Sequence, residues 1–369
     1  MSPNPRVTVI IPNYRHARYL PRRLESVVGQ SFRDIEVLFL DDASPDDSRA
    51  VFESHPASSD PRVRPIYNEQ NSGSPFKQWN RGLREARGEY IWIAESDDAA
   101  DETMLAELVA RLDANPNVGL AYCQSWIVGP DDEIKSSYTV LTDSLDREHW
   151  KSDFISGGLD ECRRYLAFQN TIPNASAVLL RREVVDRVGP APEEFRLSGD
   201  WVMWARMMMA ADVAFVARPL NYHRVHPETV RHSSEREGQH LNEAFRAQTE
   251  IARAVGLPRV HRVRLAKAMA WTWLMARRNR DKGPRFTLER DFRMMRTIAA
   301  MHWQSMPVVA GGLGLEVLER LGLRERLRKL KRAIVPPPRL TGKGSAPSSP
   351  ETYPTSLLGN PSLANPHDE

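Results

Sequence analysis

Short apolar runs alternate with amphipathic stretches along the first half of the chain, and this alternation restricts the fold more than any other feature. The apolar runs have the length and composition of strands: RVTVII, IEVLFL, VRPIY, YIWIA and VGLAYC. The stretches between them have the apolar spacing of helices. Repeated strand–helix–strand units imply right-handed crossovers, so we predict an α/β fold in which helices flank a mostly parallel sheet.

Polar segments follow the first four predicted strands. In chain order they are PNYRH, DDASPDDS, NEQNSGSPFKQWNRG and ESDD. Open parallel sheets bind ligands outside the carboxyl ends of their strands, so these segments are the expected site. No GxGxxG follows the first strand and no GxxxxGK[ST] occurs, which argues against a dinucleotide dehydrogenase and a P-loop ATPase. Carboxylates repel phosphate unless a cation lies between them, so the pattern predicts Mg²⁺ or Mn²⁺.

Composition excludes several classes of protein. The chain has 369 residues and a net charge of only +3, which indicates about two domains and gives no general reason to expect nucleic-acid binding. Cys123 and Cys162 are the only cysteines and lie far apart, which favours reduced thiols in the cytoplasm. We therefore expect no signal peptide, and no apolar run reaches the roughly 18 residues that a membrane span needs.

Four pieces of the chain resemble the family 2 glycosyltransferases, which are inverting enzymes of the GT-A fold with nucleotide-sugar donors. They lie in the family's order between Arg6 and Ser233: VTVIIPNYRHARYLPRRLESVVGQSFRDIEVLFLDDASPDDS, NSGSPFKQWNRGLREARGEYIWIAESDD, GDWVMW and YHRVHPETVRHS. The resemblance implies a GT-A catalytic domain over residues 1–233, with a nucleotide-sugar-binding half (1–117) and an acceptor-side half (118–233). Arg15 departs from the family's usual Asn, and Glu95 departs from the usual Asp.

The resemblance assigns residues near the first two strands to the nucleotide. Asp42 would accept an N–H group from the base, and Pro12 and Tyr14 would border the same pocket. The alternative for Asp42 is a structural one, because Asp is also favoured in turns and helix caps.

The next two segments would bind the rest of the donor. Asn71 would lie in a loop beneath the ribose and diphosphate, with Lys77 as a phosphate partner, although Asn more often marks a turn. Asp97 matches the family's metal-binding Asp, and Glu95 and Ser96 would lie beside the donor. In an extended segment Glu95 and Asp97 share one side, so we assign Asp98 to local structure.

The resemblance places the acceptor side and a second metal ligand in the second half of the chain. Asp200 occupies the position of the family's catalytic base, although a helix-start Asp can also be only a cap. Asn174 would lie near the acceptor pocket together with Trp201, a residue type that more often packs in a core. His226 matches a His that the family places next to the metal and diphosphate, and imidazole suits an ion such as Mn²⁺.

The composition of the chain changes after the matched pieces. Arg-rich and Ala-rich amphipathic stretches predict a helical C-terminal extension over residues 234–335, and the Pro, Ser and Gly content predicts a disordered tail over 336–369. Near the end of the extension, Leu323, Leu327, Leu330 and Ile334 share one face of a basic helix. This helix either packs on the catalytic domain or forms a peripheral anchor on an anionic inner membrane face.

These observations predict a metal-assisted glycosyltransferase. It would move a sugar from a nucleotide-diphosphate sugar to a hydroxyl of a glycan or lipid-linked acceptor, with inversion, in the synthesis of cell-surface polysaccharides or glycans. A sugar-phosphate nucleotidyltransferase would need a Gly-rich loop near the first strand, where this chain has PNYRH. A catalytically silent sugar-nucleotide-binding module is the other alternative, and Asp97, Asp200 and His226 argue against it.

Overall fold

The structure is a computed structural model that describes residues 5–172, 174–226, 239–278, 288–303, 306–307, 309–311 and 313. The chain divides into two compact units, of which the first ends at Leu257 and the second begins at Pro258. All the described strands lie in the first unit. The predicted domain boundary at residues 233 and 234 stays a prediction.

One ten-stranded sheet organises the first unit. Its strands are β1 (Val7–Asn13), β2 (Ile35–Asp41), β3 (Val63–Tyr67), β4 (Tyr90–Ile93), β5 (Ala99–Ala100), β6 (Val118–Val128), β7 (Ile134–Ser137), β8 (Phe154–Ser156), β9 (Val178–Arg181) and β10 (Asp212–Arg224).

Helices connect and cover these strands. They are α1 (Leu20–Val28), α2 (Ser48–Ser54), α3 (Pro75–Glu85), α4 (Met104–Ala114), α5 (Thr139–Thr142), α6 (Gly158–Glu161), α7 (Arg182–Val188), α8 (Gly199–Ala210), α9 (Gln239–Ala254), α10 (Arg259–Arg278) and α11 (Leu288–Met301). Short 3₁₀ turns cover Pro56–Ser59, His149–Lys151 and Ala175–Ala177, and a π turn covers Cys162–Leu166.

The main strand order is β3-β2-β1-β4-β9-β6-β10-β5. The first four strands in this order run parallel, and β6 and β10 run parallel to each other. β9 and β5 are antiparallel to their neighbours, and β7 and β8 pair antiparallel with β6 and β10. The predicted mostly parallel sheet flanked by helices is therefore confirmed.

The five predicted strands correspond to β1, β2, β3, β4 and β6. Every residue of β4 is buried, which is why it appears in the sequence as an unbroken apolar run. In α1, Leu20, Leu24 and Val27 are buried at helical spacing and pack into the same core. The sheet and its helices therefore form one core beneath the polar strand ends.

The second unit contains α10 and α11. Both helices lie within the stretch of residues 234–335 that the sequence predicts to be helical. The indole N–H of Trp273 donates to Asp291 Oδ1 over 3.2 Å, and Arg277 pairs with the same carboxylate. No described helix is both long and apolar enough to cross a membrane. The predicted basic helix around Leu323 and the predicted tail lie outside the described residues.

Candidate active site

The ends of β1 and β2 form one edge of the candidate site. Asn13 and Asp41 are register partners, and Asn13 Nδ2 donates to Asp41 Oδ1 over 2.9 Å. The backbone N–H of Ser44 donates to the other oxygen of Asp41 over 3.1 Å. Pro12 is buried in β1, whereas Tyr14 is exposed just beyond it. The predicted base pocket therefore has one residue, Tyr14, whose ring is open to a ligand.

Asp42 is buried and organises the loop that precedes α3. Its carboxylate accepts from Asn68 Nδ2, Asn71 Nδ2, Ser72 N, Ser72 Oγ and Gln78 Nε2. An ionised carboxylate has about four lone-pair sites, so these donors fill its accepting capacity. A nucleotide base could bond to Asp42 only if it displaced one of them.

Asn71 and Lys77 belong to the same loop and helix. Asn71 Oδ1 accepts from the backbone N–H of Gly73 over 2.8 Å, and Gly73 has a φ of +73°, which glycine adopts without strain. Lys77 Nζ donates to Ser72 O over 3.3 Å and is exposed. Asn71 therefore shapes the loop, and Lys77 lies at its surface.

Residues 95–98 form a turn, and the expectation of an extended segment is wrong. The backbone N–H of Asp98 donates to Glu95 O over 3.2 Å, and the short strand β5 follows directly. The helix α4 begins only at Met104, after this turn and β5. The turn brings the carboxylates of Glu95, Asp97 and Asp98 together. Each of them contacts a different part of the chain.

Glu95 is held by an indole and a serine. Trp79 Nε1 donates to Glu95 Oε1 over 2.7 Å, and the backbone N–H of Glu95 donates to Ser176 Oγ over 3.1 Å. Burial, followed by the negative charge of Asp97, raises the pKa of Glu95 to about 8. Without a cation nearby, Glu95 is therefore largely protonated at neutral pH.

Asp97 lies beside two histidines from distant parts of the chain. Its Oδ2 is 3.2 Å from Nε2 of His226, and His16, Asp97 and His226 offer ligand atoms that all lie within 4.8 Å of one another. Burial favours the neutral form of Asp97, but the charge of His16 and the hydrogen bond from His226 outweigh it and hold its pKa below the usual range.

These three side chains fit a divalent cation. Two ligands about 2.1 Å from one ion and at a right angle lie about 3 Å apart, close to the separation of Asp97 and His226. His226 is buried, and its Nδ1 has no hydrogen-bond partner among the described residues. His16 Nδ1 bonds to Ser96 Oγ over 2.8 Å, which orients its ring.

His16 was missed as a site residue, although it ends the segment PNYRH after the first strand. The signal was its position at the carboxyl end of β1, on the same edge as the acidic turn. His226 lies directly beyond the end of β10. The fold therefore joins the first and last strands of the domain at one cluster, which spacing along the chain does not reveal.

Asp98 has a structural environment. It is buried, its Oδ1 accepts from the backbone N–H of Arg224 over 2.8 Å, and its Oδ2 lies 3.9 Å from the buried guanidinium of Arg23. Arg23 also donates to Glu95 O and Ser176 Oγ. These bonds hold the acidic turn against α1 and β10.

Asp200 lies in the first turn of α8 but is not its N-cap residue, which is Ser198. Its Oδ1 accepts from the backbone N–H of Trp201 over 2.7 Å, and its Oδ2 accepts from Asn170 Nδ2 over 3.3 Å. Asp200 is half-buried. A carboxylate in the first turn of a helix interacts favourably with the helix dipole.

Asn174 and Trp201 have internal partners. Asn174 Oδ1 accepts from Ala177 N, and its Nδ2 donates to Ser125 Oγ, so it caps the 3₁₀ turn. Trp201 is buried, and its indole N–H donates to Leu166 O over 2.8 Å. Both contacts indicate packing beside the site, and an acceptor role for either residue stays a prediction.

Comparison with known proteins matches the N-terminal half of the chain to one family. Residues 8–189 match the family model described as glycosyl transferase family 2. An uncharacterised glycosyltransferase of Nostoc sp. (strain PCC 7120) is 28% identical over 60% of this chain and 65% of its own length. A GalNAc(5)-diNAcBac-PP-undecaprenol beta-1,3-glucosyltransferase of Campylobacter jejuni is 25% identical over 41% of this chain and 48% of its own length. The matches thus span less than two thirds of these relatives.

Two solved structures share the fold. Staphylococcus aureus TarS 1–349 in complex with UDP superposes with a TM-score of 0.56 at 19% identity, over 80% of each chain. The mannosyltransferase PcManGT from Pyrobaculum calidifontis, in complex with GDP-Man and Mn²⁺, gives 0.53 at 18% identity, over 83% of this chain and 88% of its own. The predicted GT-A type of fold is confirmed.

Proposed function

We propose that the protein moves a sugar from a nucleotide-diphosphate sugar to an acceptor hydroxyl with inversion, because residues 8–189 match the model of glycosyl transferase family 2. The cluster of His16, Asp97 and His226 beside the acidic turn is the observation that carries the proposal. A cation held there would bind the diphosphate of the donor, and Asp200 supplies the proton acceptor that a binding module without chemistry would not need.

The cluster suits Mn²⁺ better than Mg²⁺. Its donors are two imidazoles and one carboxylate, and imidazole suits transition metals, whereas Mg²⁺ prefers oxygen ligands. We propose that His16, Asp97 and His226 hold the ion, with Ser96 fixing the ring of His16. When bound, such an ion neutralises the charge that develops on the departing diphosphate.

The remaining side chains bind the donor. Tyr14 offers an exposed ring to the nucleoside. Asp42 and Asn71 hold the loop before α3, which contacts the donor on its other side. Lys77, exposed at the start of α3, supplies a positive charge for a phosphate oxygen. Glu95 lies near Asp97 in the same turn, and its bond with Trp79 holds the part of the turn that faces the donor.

Asp200 takes the proton of the acceptor hydroxyl. A hydroxyl is a poor nucleophile at neutral pH, so a carboxylate must remove its proton as the bond to the anomeric carbon forms. Asn170 and the backbone N–H of Trp201 orient the Asp200 carboxylate at the start of α8. Attack from the face opposite the leaving diphosphate inverts the anomeric centre.

We place the reaction in polysaccharide or glycan synthesis with a glycan or lipid-linked acceptor. One relative carries undecaprenol and glucosyltransferase in its name, which supports this class of acceptor. Cys123 and Cys162 are buried free thiols, and burial raises the pKa of each to about 12, so both suit a reducing cytoplasm. We propose a cytoplasmic location with peripheral contact to an anionic membrane.

A thermal-shift panel tests the proposal. The full chain is melted with UDP, GDP and their sugars, each with Mn²⁺, with Mg²⁺ or with EDTA, because a ligand of the native state raises the melting temperature. We expect one nucleotide to stabilise the protein only when metal is present, and its sugar to be consumed when acceptor is added. Binding without turnover would favour the silent module, and pyrophosphate release from a nucleoside triphosphate would favour the nucleotidyltransferase.

A further inference from the structure

Exposed Trp and Phe side chains occur only in the second unit, among the residues that the structure describes. Trp271 is 51% exposed, Phe292 is 66% exposed and Trp303 is 68% exposed. Every described Trp and Phe of the first unit is buried or half-buried. Large aromatic side chains in water are unfavourable, so this concentration indicates a surface that another phase or molecule covers.

One face of α10 combines apolar and basic residues. Val260, Lys267, Trp271 and Met275 are exposed at helical spacing, and Arg264 lies on the same face. The opposite face, which contains Leu265, Met269 and Trp273, is buried. The sequence of α10 contains no Asp or Glu to offset its basic side chains.

The outward face of α11 has the same character. Phe292, Arg293 and Arg296 are exposed on it, and Trp303 is exposed just after the helix ends. Glu289 is the one acidic residue of this face and pairs with Arg293. Asp291 is buried and pairs with Arg277, so its charge is neutralised inside the unit.

We propose that these two faces, here called the α10–α11 surface, dock on an anionic lipid bilayer. Helices that lie in a membrane interface bury Trp, Phe and Met side chains at the level of the headgroups, while Lys and Arg pair with anionic lipids. The excess of exposed basic over acidic side chains complements such a membrane. A nucleic acid would use the basic residues but not the apolar ones beside them.

Docking through the α10–α11 surface would add a membrane-binding step to the proposed function. This step does not depend on the transfer reaction. If the acceptor is lipid-linked, as proposed above, docking holds the enzyme on the membrane that carries its acceptor. The described helices are too short or too polar to span that membrane. Vesicle binding needs no donor, so a failure of docking and a failure of sugar transfer are distinguishable.

Co-sedimentation with vesicles tests the inference on the full chain. The vesicles contain phosphatidylcholine alone or phosphatidylcholine with phosphatidylglycerol. One double variant removes aromatic rings (Trp271→Ser, Phe292→Ser), and another reverses charges (Lys267→Glu, Arg296→Glu). The matched control removes two exposed apolar side chains from the first unit, Ile134→Ser and Ile155→Ser. Circular dichroism and nucleotide thermal shifts report whether each variant is folded and binds donor.

We expect the wild type and the control to bind the anionic vesicles and not the neutral ones, with weaker binding as salt rises. Each double variant should lose about tenfold or more in vesicle affinity while it keeps its fold and its response to donor. Equal binding by the aromatic variant and the wild type would overturn the proposal. The proposal would also be overturned if the wild type did not bind the anionic vesicles and bound RNA instead.

Discussion

The indole N–H of Trp79 donates a hydrogen bond to Oε1 of Glu95 over 2.7 Å, and this bond joins α3 to the acidic turn. The ring of Trp79 also stacks on Trp204 of α8, with centroids 6.1 Å apart. Asp200 lies one turn before Trp204. A single side chain therefore connects the metal-binding part of the site to the helix that carries the proposed base.

The raised pKa of Glu95 predicts how stability depends on pH. Between its ordinary pKa of 4.5 and its native pKa of about 8, the native state holds a proton that the unfolded chain has released. The contribution of Glu95 to the free energy of unfolding is therefore complete below the lower value and is lost as pH rises to about 8, by at most about 1.4 kcal/mol per pH unit. Urea unfolding in EDTA over this range measures it.

The matched variant for this experiment is Glu95→Gln, which keeps an oxygen for Trp79 and cannot titrate. Its free energy of unfolding should fall less steeply than that of the wild type over the same pH range. Parallel profiles for the two proteins would show that Glu95 has an ordinary pKa.

Asp97 and Asp98 are adjacent but should respond differently to substitution. Asp97→Ala should fold and lose metal-dependent binding of the nucleotide sugar, because Asp97 supplies the only carboxylate of the His16–Asp97–His226 cluster. Asp98→Asn should keep that binding and lower the free energy of unfolding by about 1 to 3 kcal/mol, because it leaves Arg23 without its buried charge partner. Thermal shifts with and without Mn²⁺ separate the two effects. If folded Asp97→Ala bound the nucleotide sugar with unchanged metal dependence, Asp97 would not be part of the site.

His16 should contribute directly to metal affinity. His16→Ala removes one nitrogen ligand, so we expect Mn²⁺ affinity, measured by calorimetry or by electron paramagnetic resonance of the free ion, to fall about tenfold or more. Ser96→Ala removes only the bond that orients the ring and should have a smaller effect. If both variants bind Mn²⁺ as the wild type does, His16 is a structural residue.

Arg15 lies in a backbone conformation that suits another residue. Its φ is +64°, in the left-handed region, where Asn and Gly are favoured. Arg15→Asn, which restores the family's usual residue, should therefore stabilise the protein by about 0.5 to 1 kcal/mol in urea unfolding. Arg15→Ala removes the same charge without relieving the backbone, so it is the control. Equal stability of the two variants would show that φ is not the cause.

The sequence predicted the sheet because its central parallel strands, β1, β2 and β4, are fully buried and appear as mainly apolar runs. It did not predict the turn at residues 95–98, because the contacts that bend it come from Arg23, Ser176 and Arg224, far away in the chain. The same limit applies to His16. A single histidine carries little information until the fold brings it to His226.

Asp200 provides the sharpest test of the proposed mechanism. Asp200→Asn keeps the size of the side chain and an oxygen that can accept from Trp201 N, but the amide cannot take a proton as a carboxylate does. The variant should fold, bind donor and metal like the wild type, and lose sugar transfer by about 10² to 10⁴. Single-turnover assays with saturating donor measure the chemical step. Transfer within about threefold of wild type would make Asp200 a structural residue of α8, with Glu193 and Glu194 as the next candidates for the base.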